Sequence, residues 1–136
     1  YLQPSIADIS LSSMEFDDGT RSHIFVSWLH PYKEQKLVVV GDRRMAVFDD
    51  SEPIDKLGLF DGEIKLIDGN FVTKPPQRSS VSISSEEPLV TENRHFLHCI
   101  ETGESPITNG VEGLEVLKVL KACQESLMLG GYPTNL

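Results

Sequence analysis

The sequence predicts an α+β fold: an open, mostly antiparallel β-sheet with helices on one side, ending in two C-terminal helices. Up to about residue 85, short apolar runs alternate with Gly, Asp, Asn and Pro, a pattern typical of strands and turns. From Glu87 onward, apolar residues recur every three or four positions, which is typical of amphipathic helices. Hairpins followed by segregated helices define the α+β class.

The first third of the chain predicts a hairpin. Residues 6–16 are Ser-rich and alternate partially, which indicates a strand, and the turn Asp17–Thr20 contains a Gly suited to a positive φ. The alternation then resumes and directs Ile24, Val26 and Trp28 to one face of a second strand.

A second hairpin follows the break at Pro31. The continuous apolar run Leu37–Val40 predicts a strand that is covered on both faces or lies at the centre of the sheet. A turn at residues 41–44 and a returning strand at residues 45–50 complete the hairpin.

Residues 51–80 are less regular. Two short strands are expected around the turn Asp68–Asn70, and Pro75–Pro76 is expected to end this region because proline interrupts strand pairing. Residues 79–85 are compatible with an edge strand or a loop.

Helix signals dominate the last third. Pro88 suits a first helical turn and Gly103 a helix stop. Asn109 and Glu112 have the spacing of a capping box for a second helix, which Gly130–Gly131 would end. The apolar stripes consist of Leu89, Phe96, Leu97 and Ile100 in the first helix, and of Leu114, Leu117, Leu120 and Leu127 in the second.

Length and composition exclude several classes of function. The 136 residues suit one domain, residues 1–136, and the formal net charge of −9 argues against binding nucleic acid or an anionic membrane. No apolar run could span a bilayer and no export leader is visible, so we expect a cytoplasmic protein. Cys99 and Cys123 are expected to be reduced and half-buried, although a disulfide between the two helices stays open.

The stretch Glu92–Cys99, "ENRHFLHC", concentrates groups that could bind a metal. On a helix, Glu92, His95 and Cys99 lie on about one face, while His98 lies on its flank. The two His are three residues apart rather than the four of the helical zinc motif. The competing interpretation is structural, with His95 capping or packing, His98 partly solvated and Cys99 in the core. We therefore expect no metal.

Two other polar groups are candidates. Trp28, His30 and Lys33, at the end of the second strand and in the loop "HPYK", could hold a polar ligand such as a sugar. The alternative is a solvated loop with a buried Trp28. The acidic residues Asp49-Asp50 and Glu52 could bind a hard cation but lack the spacing of a calcium loop, and an exposed turn is the expected structure. Nothing in the sequence assembles a nucleophile, base and orienting group.

Three stretches together resemble the Gfo/Idh/MocA oxidoreductases. Residues 87–127 are similar to the closing segment of that family, residues 23–50 to its sheet hairpins, and residues 1–20 to the preceding strand. The closest similarity is to the branch that acts on UDP-N-acetylated sugars and their uronates. The matching positions of the closing segment are Glu87, Pro88, Leu89, Glu92, His95, Phe96, Cys99, Ile100, Thr102, Gly103, Pro106, Thr108, Gly110, Gly113, Leu114, Val116 and Leu117.

The resemblance implies the C-terminal domain of an NAD(P)-dependent sugar or nucleotide-sugar dehydrogenase. Its implied role is to form part of the substrate pocket and, through a sheet face, a homo-oligomeric interface in a dimer or tetramer. The family's N-terminal Rossmann domain, its E-K-P lysine and its Asp/His pair have no matching positions here. The resemblance therefore implies no catalytic or cofactor-binding residue in this chain, NAD(P) in the full-length parent, and no activity of this part alone. In this family the Glu, His and Cys of "ENRHFLHC" match a structural signature.

Two alternatives stay open. A freestanding sheet-based binding or assembly module would use the same fold without dehydrogenase activity. A metal-dependent enzyme would use Glu92, His95 and Cys99.

Overall fold

The computed structural model describes residues 2–4 and 6–136, apart from the side chains of Glu63 and Lys74. All strand pairings among these residues are antiparallel and both helices follow the strands, which confirms the α+β fold. The elements are β1 (Ile9–Glu15), β2 (Arg21–Ser27), β3 (Lys36–Val40), β4 (Arg44–Asp49), β5 (Leu57–Ile67), β6 (Asn70–Val81), α1 (Pro88–Thr102) and α2 (Gly110–Met128).

The chain forms two compact units, and the first contains Tyr1–Trp28 and Glu86–Leu136. Its strands β1 and β2 make the predicted hairpin, and the connecting turn places Gly19 at a φ of 83°. That conformation favours Gly because it has no Cβ.

Both helices begin and end at the predicted signals. Pro88 opens α1, and Gly103 ends it in the left-handed region with a φ of 74°. The Asn109 side chain accepts hydrogen bonds from the amides of Val111 and Glu112, which satisfies two of the free N–H groups at the start of α2.

The second unit, Leu29–Ser85, contains a four-stranded sheet in the order β3-β4-β5-β6. The expectation that Leu37–Val40 is covered on both faces or central was wrong, because β3 is an outer strand of this sheet and all five of its residues are exposed. A run of apolar residues indicates a preference for burial, but it does not show which other element, if any, packs on the strand.

The strands β5 and β6 are longer than predicted. Pro75–Pro76 was expected to end this region, but β6 continues through both residues to Val81. The pairing register with β5 shifts opposite them, between Asp61 and Glu63. A bulge in an outer strand accommodates proline because the missing N–H is not needed for pairing there.

Few apolar side chains are covered. Among the described residues, Cys99 of α1 is the one buried hydrophobic residue, at 8% exposure. This agrees with the core position given by the structural interpretation of the stretch Glu92–Cys99, and it is deeper than the half-buried position expected for both thiols. The predicted apolar stripes of α1 and α2 lie largely open to solvent, as do most apolar residues of the strands. Within the described ranges, neither helix combines the length and apolar character needed to cross a bilayer.

Candidate functional site

The three residues predicted to bind a ligand fall in both units. Trp28 follows β2 in the first unit, where its amide donates to the carbonyl oxygen of Asp8 at 2.9 Å. Its side chain is 82% exposed, so the alternative of a buried Trp28 was wrong. His30 and Lys33 belong to the second unit.

The loop after Trp28 is organised around its aromatic groups. The rings of His30 and Tyr32 stack with centroids 5.7 Å apart and an interplanar angle of 28°. The Nδ1 atom of His30 lies 3.9 Å from a carboxylate oxygen of Glu34. The stack forms a flat surface on which another ring could lie.

Lys33 joins this loop to the end of β4. Its ammonium lies 4.0 Å from one carboxylate oxygen of Asp50, and the ammonium of Lys56 donates to the other oxygen at 2.7 Å. This hydrogen bond from Lys56, followed by the charge of Lys56 itself, holds the pKa of Asp50 below its usual range.

Asp49, the neighbouring carboxylate, is also paired with a lysine. It accepts hydrogen bonds from Ser51, and the ammonium of Lys36 lies 3.0 Å from its second oxygen. The bonds from Ser51 and then from Lys36 lower the pKa of Asp49, and the same contact with Asp49 raises the pKa of Lys36. Asp49 and Asp50 are therefore neutralised by lysines of this chain, and a hard cation would have to displace those lysines.

A polar cavity of about 390 Å³ opens beside this pair on one face of the four-stranded sheet. Its charged lining is balanced, with three basic and three acidic side chains. The lining consists of Lys36, Lys56 and Arg78, of Asp49, Glu52 and Asp55, and of Val47, Ile54, Gly58 and Phe60.

Arg78 lies across the wall of this cavity because Gly58 leaves room for it. A Cβ at Gly58 would lie 2.8 Å from the Nε atom of Arg78. The Nη2 atom of Arg78 donates to the carbonyl oxygen of Asp55 at 2.9 Å. Asp55 adopts a φ of 57°, which is unfavourable for a residue with a Cβ, and its carboxylate accepts from Ser80 at 2.7 Å. The two hydrogen bonds hold Asp55 in this conformation.

Sequence reasoning missed Arg78, Asp55 and Lys56. The available signal was Gly58, since an isolated Gly within a strand indicates close approach of another group. Neither Asp55 nor Arg78 stands out in the sequence, because their contact depends on the pairing of β5 with β6.

The first unit contains a larger and more apolar groove of about 740 Å³. All seven residues of β1 line one side, and α2 contributes residues that include Val119 and Cys123. Residues of the tail after α2 also line the groove, and the hydroxyl of Thr134 donates to the carbonyl oxygen of Ala122 at 3.1 Å.

His95 in "ENRHFLHC" connects α1 to the following loop. Its Nε2 atom accepts a hydrogen bond from the amide of Ile107 at 3.1 Å and lies 3.6 Å from the sulfur of buried Cys99. His98 is half-exposed, 3.4 Å from Glu104. Within the described part of the chain, no group of three His, Cys, Asp or Glu side chains is arranged to hold a metal. Cys99 and Cys123 are both free thiols.

Comparisons of this chain with protein-family models, with curated proteins and with solved structures found no match.

Proposed function

We propose that this chain is the C-terminal domain of an NAD(P)-dependent sugar or nucleotide-sugar dehydrogenase of the Gfo/Idh/MocA type. It forms the subunit interface and part of the substrate pocket, and it is not catalytic alone. The observation that carries the proposal is an uncovered apolar face on the four-stranded sheet, which is suited to a domain completed by other subunits. The sequence resemblance supplies the class of enzyme.

The pairing register defines this apolar sheet face. Leu37 and Val39 of β3 are 61% and 56% exposed. The apolar residues opposite them on β4 and β5 are half-buried, as is Val81 of β6, whereas Ser79 of β6 is exposed. An ion pair of 2.6 Å between Arg44 and Asp61 lies at its margin. The members of the face are Leu37, Val39, Ala46, Phe48, Leu57, Leu59 and Val81.

A second copy of the chain is the partner that suits this face. Two identical apolar faces related by a two-fold axis cover each other, which is the arrangement of most homodimers. Homodimer interfaces have apolar centres and polar rims, and the Arg44–Asp61 pair supplies a polar margin here.

The proposed substrate contacts are Trp28 in the first unit, and His30 and Lys33 in the second. Indole and stacked imidazole rings offer flat apolar surfaces to a sugar or base, and the Lys33 ammonium offers a positive charge to phosphate or carboxylate. The cofactor NAD(P) belongs to the nucleotide-binding domain of the full-length parent, and no residue of this chain is assigned to bind it.

Fluorescence titration tests the substrate assignment, because Trp28 is the single tryptophan of the chain. We expect UDP-N-acetylglucosamine to change Trp28 emission saturably and NADH to leave it unchanged. Lys33→Ala should weaken the response, whereas Lys118→Ala, which removes an exposed lysine paired with Glu115, should not. Reduction of NAD⁺ by the chain alone would contradict the proposal that it is not catalytic by itself.

A freestanding assembly module is the second candidate, and the extent of uncovered apolar surface favours it equally. It requires association through the apolar sheet face but no response to the nucleotide sugar. A dimer whose Trp28 emission is unaffected by UDP-N-acetylglucosamine would therefore select this candidate.

A further inference from the structure

The polar cavity lies on the face of the four-stranded sheet opposite the apolar sheet face. Its strand residues Val47 and Gly58 are paired with each other, and each is flanked along its strand by members of the apolar sheet face. Because neighbouring residues of a strand point to opposite sides, a dimer formed through the apolar sheet faces leaves this cavity open. None of its lining residues is among the proposed substrate contacts. A role for the cavity therefore does not depend on the proposed function.

Arg78 is the group of the cavity best suited to bind a carboxylate. Its Nε atom lies over Gly58, where a Cβ would approach to 2.8 Å, and its Nη2 atom donates to the carbonyl oxygen of Asp55 at 2.9 Å. Among the described residues, no carboxylate forms an ion pair with Arg78, so the remaining N–H donors of its guanidinium are available. A guanidinium held in place in this way can form two parallel hydrogen bonds to a carboxylate.

Glu52 is the corresponding group for an ammonium. Asp49 is already paired with the ammonium of Lys36 at 3.0 Å. The carboxylate of Asp55 accepts from the hydroxyl of Ser80 at 2.7 Å. The exposed carboxylate of Glu52 forms no ion pair or side-chain hydrogen bond with the rest of the described chain. Glu52 is therefore the acidic group of the cavity that can bind a cation without displacing a partner.

The remaining lining offers apolar surface to a small side chain. Val47 and Phe60 are half-buried on the sheet, and Ile54, in the loop between β4 and β5, is 75% exposed. The cavity volume of about 390 Å³ lies near the lower end of the range for small-molecule sites, roughly 300–1,000 Å³. This size favours a ligand as small as a single amino acid over a nucleotide or a nucleotide sugar.

We propose that the polar cavity binds a free α-amino acid with an aliphatic side chain, such as leucine. The ligand's carboxylate binds Arg78, its ammonium binds Glu52, and its side chain packs on Ile54. Three basic and three acidic side chains line the cavity, so a zwitterion without net charge leaves the lining balanced. A ligand bearing phosphate would require an excess of basic groups, which this lining lacks.

Titration of the isotope-labelled full chain with L-leucine, followed by NMR, tests this assignment. We expect saturable shifts of the Gly58 and Ile54 amide signals, with a dissociation constant on the order of 1 mM because the charged groups of an open cavity stay partly solvated. N-acetyl-L-leucine keeps the carboxylate and lacks the ammonium, whereas L-leucinamide keeps the ammonium and lacks the carboxylate. Each should bind at least about tenfold more weakly than leucine, since each leaves one charged group of the cavity without its partner.

Substitutions separate the two charged contacts. Arg78→Gln should weaken leucine binding at least about tenfold. Glu52→Gln should weaken leucine binding to a similar extent and leave the binding of N-acetyl-L-leucine unchanged, a difference that a purely structural role for Glu52 would not produce. Arg43→Gln is the matched control, because it removes the same charge from an exposed arginine in the turn between β3 and β4, outside the cavity. This variant should bind leucine as the wild type does.

The outcomes distinguish this site from the proposed function. Absence of shifts at Gly58 and Ile54 up to about 20 mM leucine overturns the assignment, as does equal binding of leucine and N-acetyl-L-leucine. Competition between UDP-N-acetylglucosamine and leucine for the same signals would make the cavity part of the substrate site, which also overturns it. If Arg78→Gln loses its far-UV circular dichroism, the comparison with Glu52→Gln decides, because Glu52 is exposed in a loop. Trp28 emission that does not respond to the nucleotide sugar contradicts the proposed function alone.

Discussion

Replacing His95 with alanine tests whether this residue is structural. In the folded chain, the Nε2 atom of His95 accepts the amide hydrogen of Ile107 at 3.1 Å, and its ring lies against the sulfur of Cys99. The His95→Ala substitution removes the acceptor that ties the loop between the helices to α1. It also uncovers Cys99, the buried hydrophobic residue of that helix.

The expected loss of stability is modest. A neutral hydrogen bond contributes about 1 kcal/mol to the free energy of unfolding. Ile107 is exposed, so its freed amide can bond to water instead of remaining buried without a partner. Loss of ring packing on Cys99 adds a similar amount at most, which gives a total of roughly 1–2 kcal/mol.

Urea denaturation followed by far-UV circular dichroism measures this change, with His98→Ala as the control. His98 is half-exposed and contacts Glu104 at 3.4 Å, so its removal should alter the free energy of unfolding by less than about 0.5 kcal/mol. Hydrogen exchange should also show faster exchange of the Ile107 amide in His95→Ala and unchanged exchange in His98→Ala.

Two results would refute this reasoning. Equal losses of stability in the two variants would mean that the contact with Ile107 contributes nothing specific. A metal role for Glu92, His95 and Cys99 predicts instead that a chelator destabilises the wild type as much as the His95→Ala substitution does. We expect EDTA to leave the urea midpoint of the wild type unchanged.

Three further predictions follow from local geometry. Asn109→Ala removes the acceptor for two amides at the start of α2 and should lower the free energy of unfolding by about 1 kcal/mol, measured by urea denaturation; a loss below 0.3 kcal/mol would argue against the cap. Gly58→Ala places a Cβ against the Arg78 side chain and should cost roughly 1–3 kcal/mol, while Gly58→Ala combined with Arg78→Ala should recover part of that loss; no recovery would exclude the clash. Hydrogen bonds from Ser51 and Lys56 hold the pKa values of Asp49 and Asp50 below their usual range. Both carboxylates therefore stabilise the fold at neutral pH. This stabilisation begins to decrease below about pH 4, where the same carboxylates protonate in the unfolded chain, and it is lost once the pH has fallen through their lowered pKa values in the folded chain. Thermal melts between pH 6 and pH 2.5 should show a fall in melting temperature for the wild type and a smaller fall for Asp50→Asn. Identical pH profiles of the two proteins would contradict a stabilising role for the Asp50 carboxylate.

Local signals in the sequence predicted the elements whose ends are defined by their own residues. Gly103 ends α1 because the left-handed conformation there favours Gly, and Asn109 begins α2 because its side chain reaches the free amides of the first turn. The first hairpin was predicted because its alternation and turn lie close together in the sequence. None of these features depends on a distant part of the chain.

Features that depend on strand neighbours were not predictable from local patterns. Leu37–Val40 is as apolar as a covered strand, but the order of the sheet makes β3 an outer strand. Pro75–Pro76 carries a strong strand-breaking signal, which the bulge opposite Asp61 and Glu63 overrides.

The residues of the candidate site also divide into those that local sequence signals predict and those that depend on strand pairing. His30 and Lys33 were predicted because a strand end and its loop are visible in the sequence. Arg78 and Asp55 are 23 residues apart, and they meet because β6 pairs with β5 in a register that places Arg78 opposite Phe60 and beside Gly58. The contact between Arg78 and Asp55 therefore cannot be predicted from the sequence unless the pairing register of β5 with β6 is known.

The intact mass of the natural polypeptide, isolated from its source cells by immunoprecipitation, distinguishes a dehydrogenase domain from a freestanding module. We expect a mass at least about twice the 15.2 kDa of this chain, because a nucleotide-binding domain adds a second domain of comparable size or larger. A natural mass near 15.2 kDa would contradict the dehydrogenase proposal and favour the assembly module.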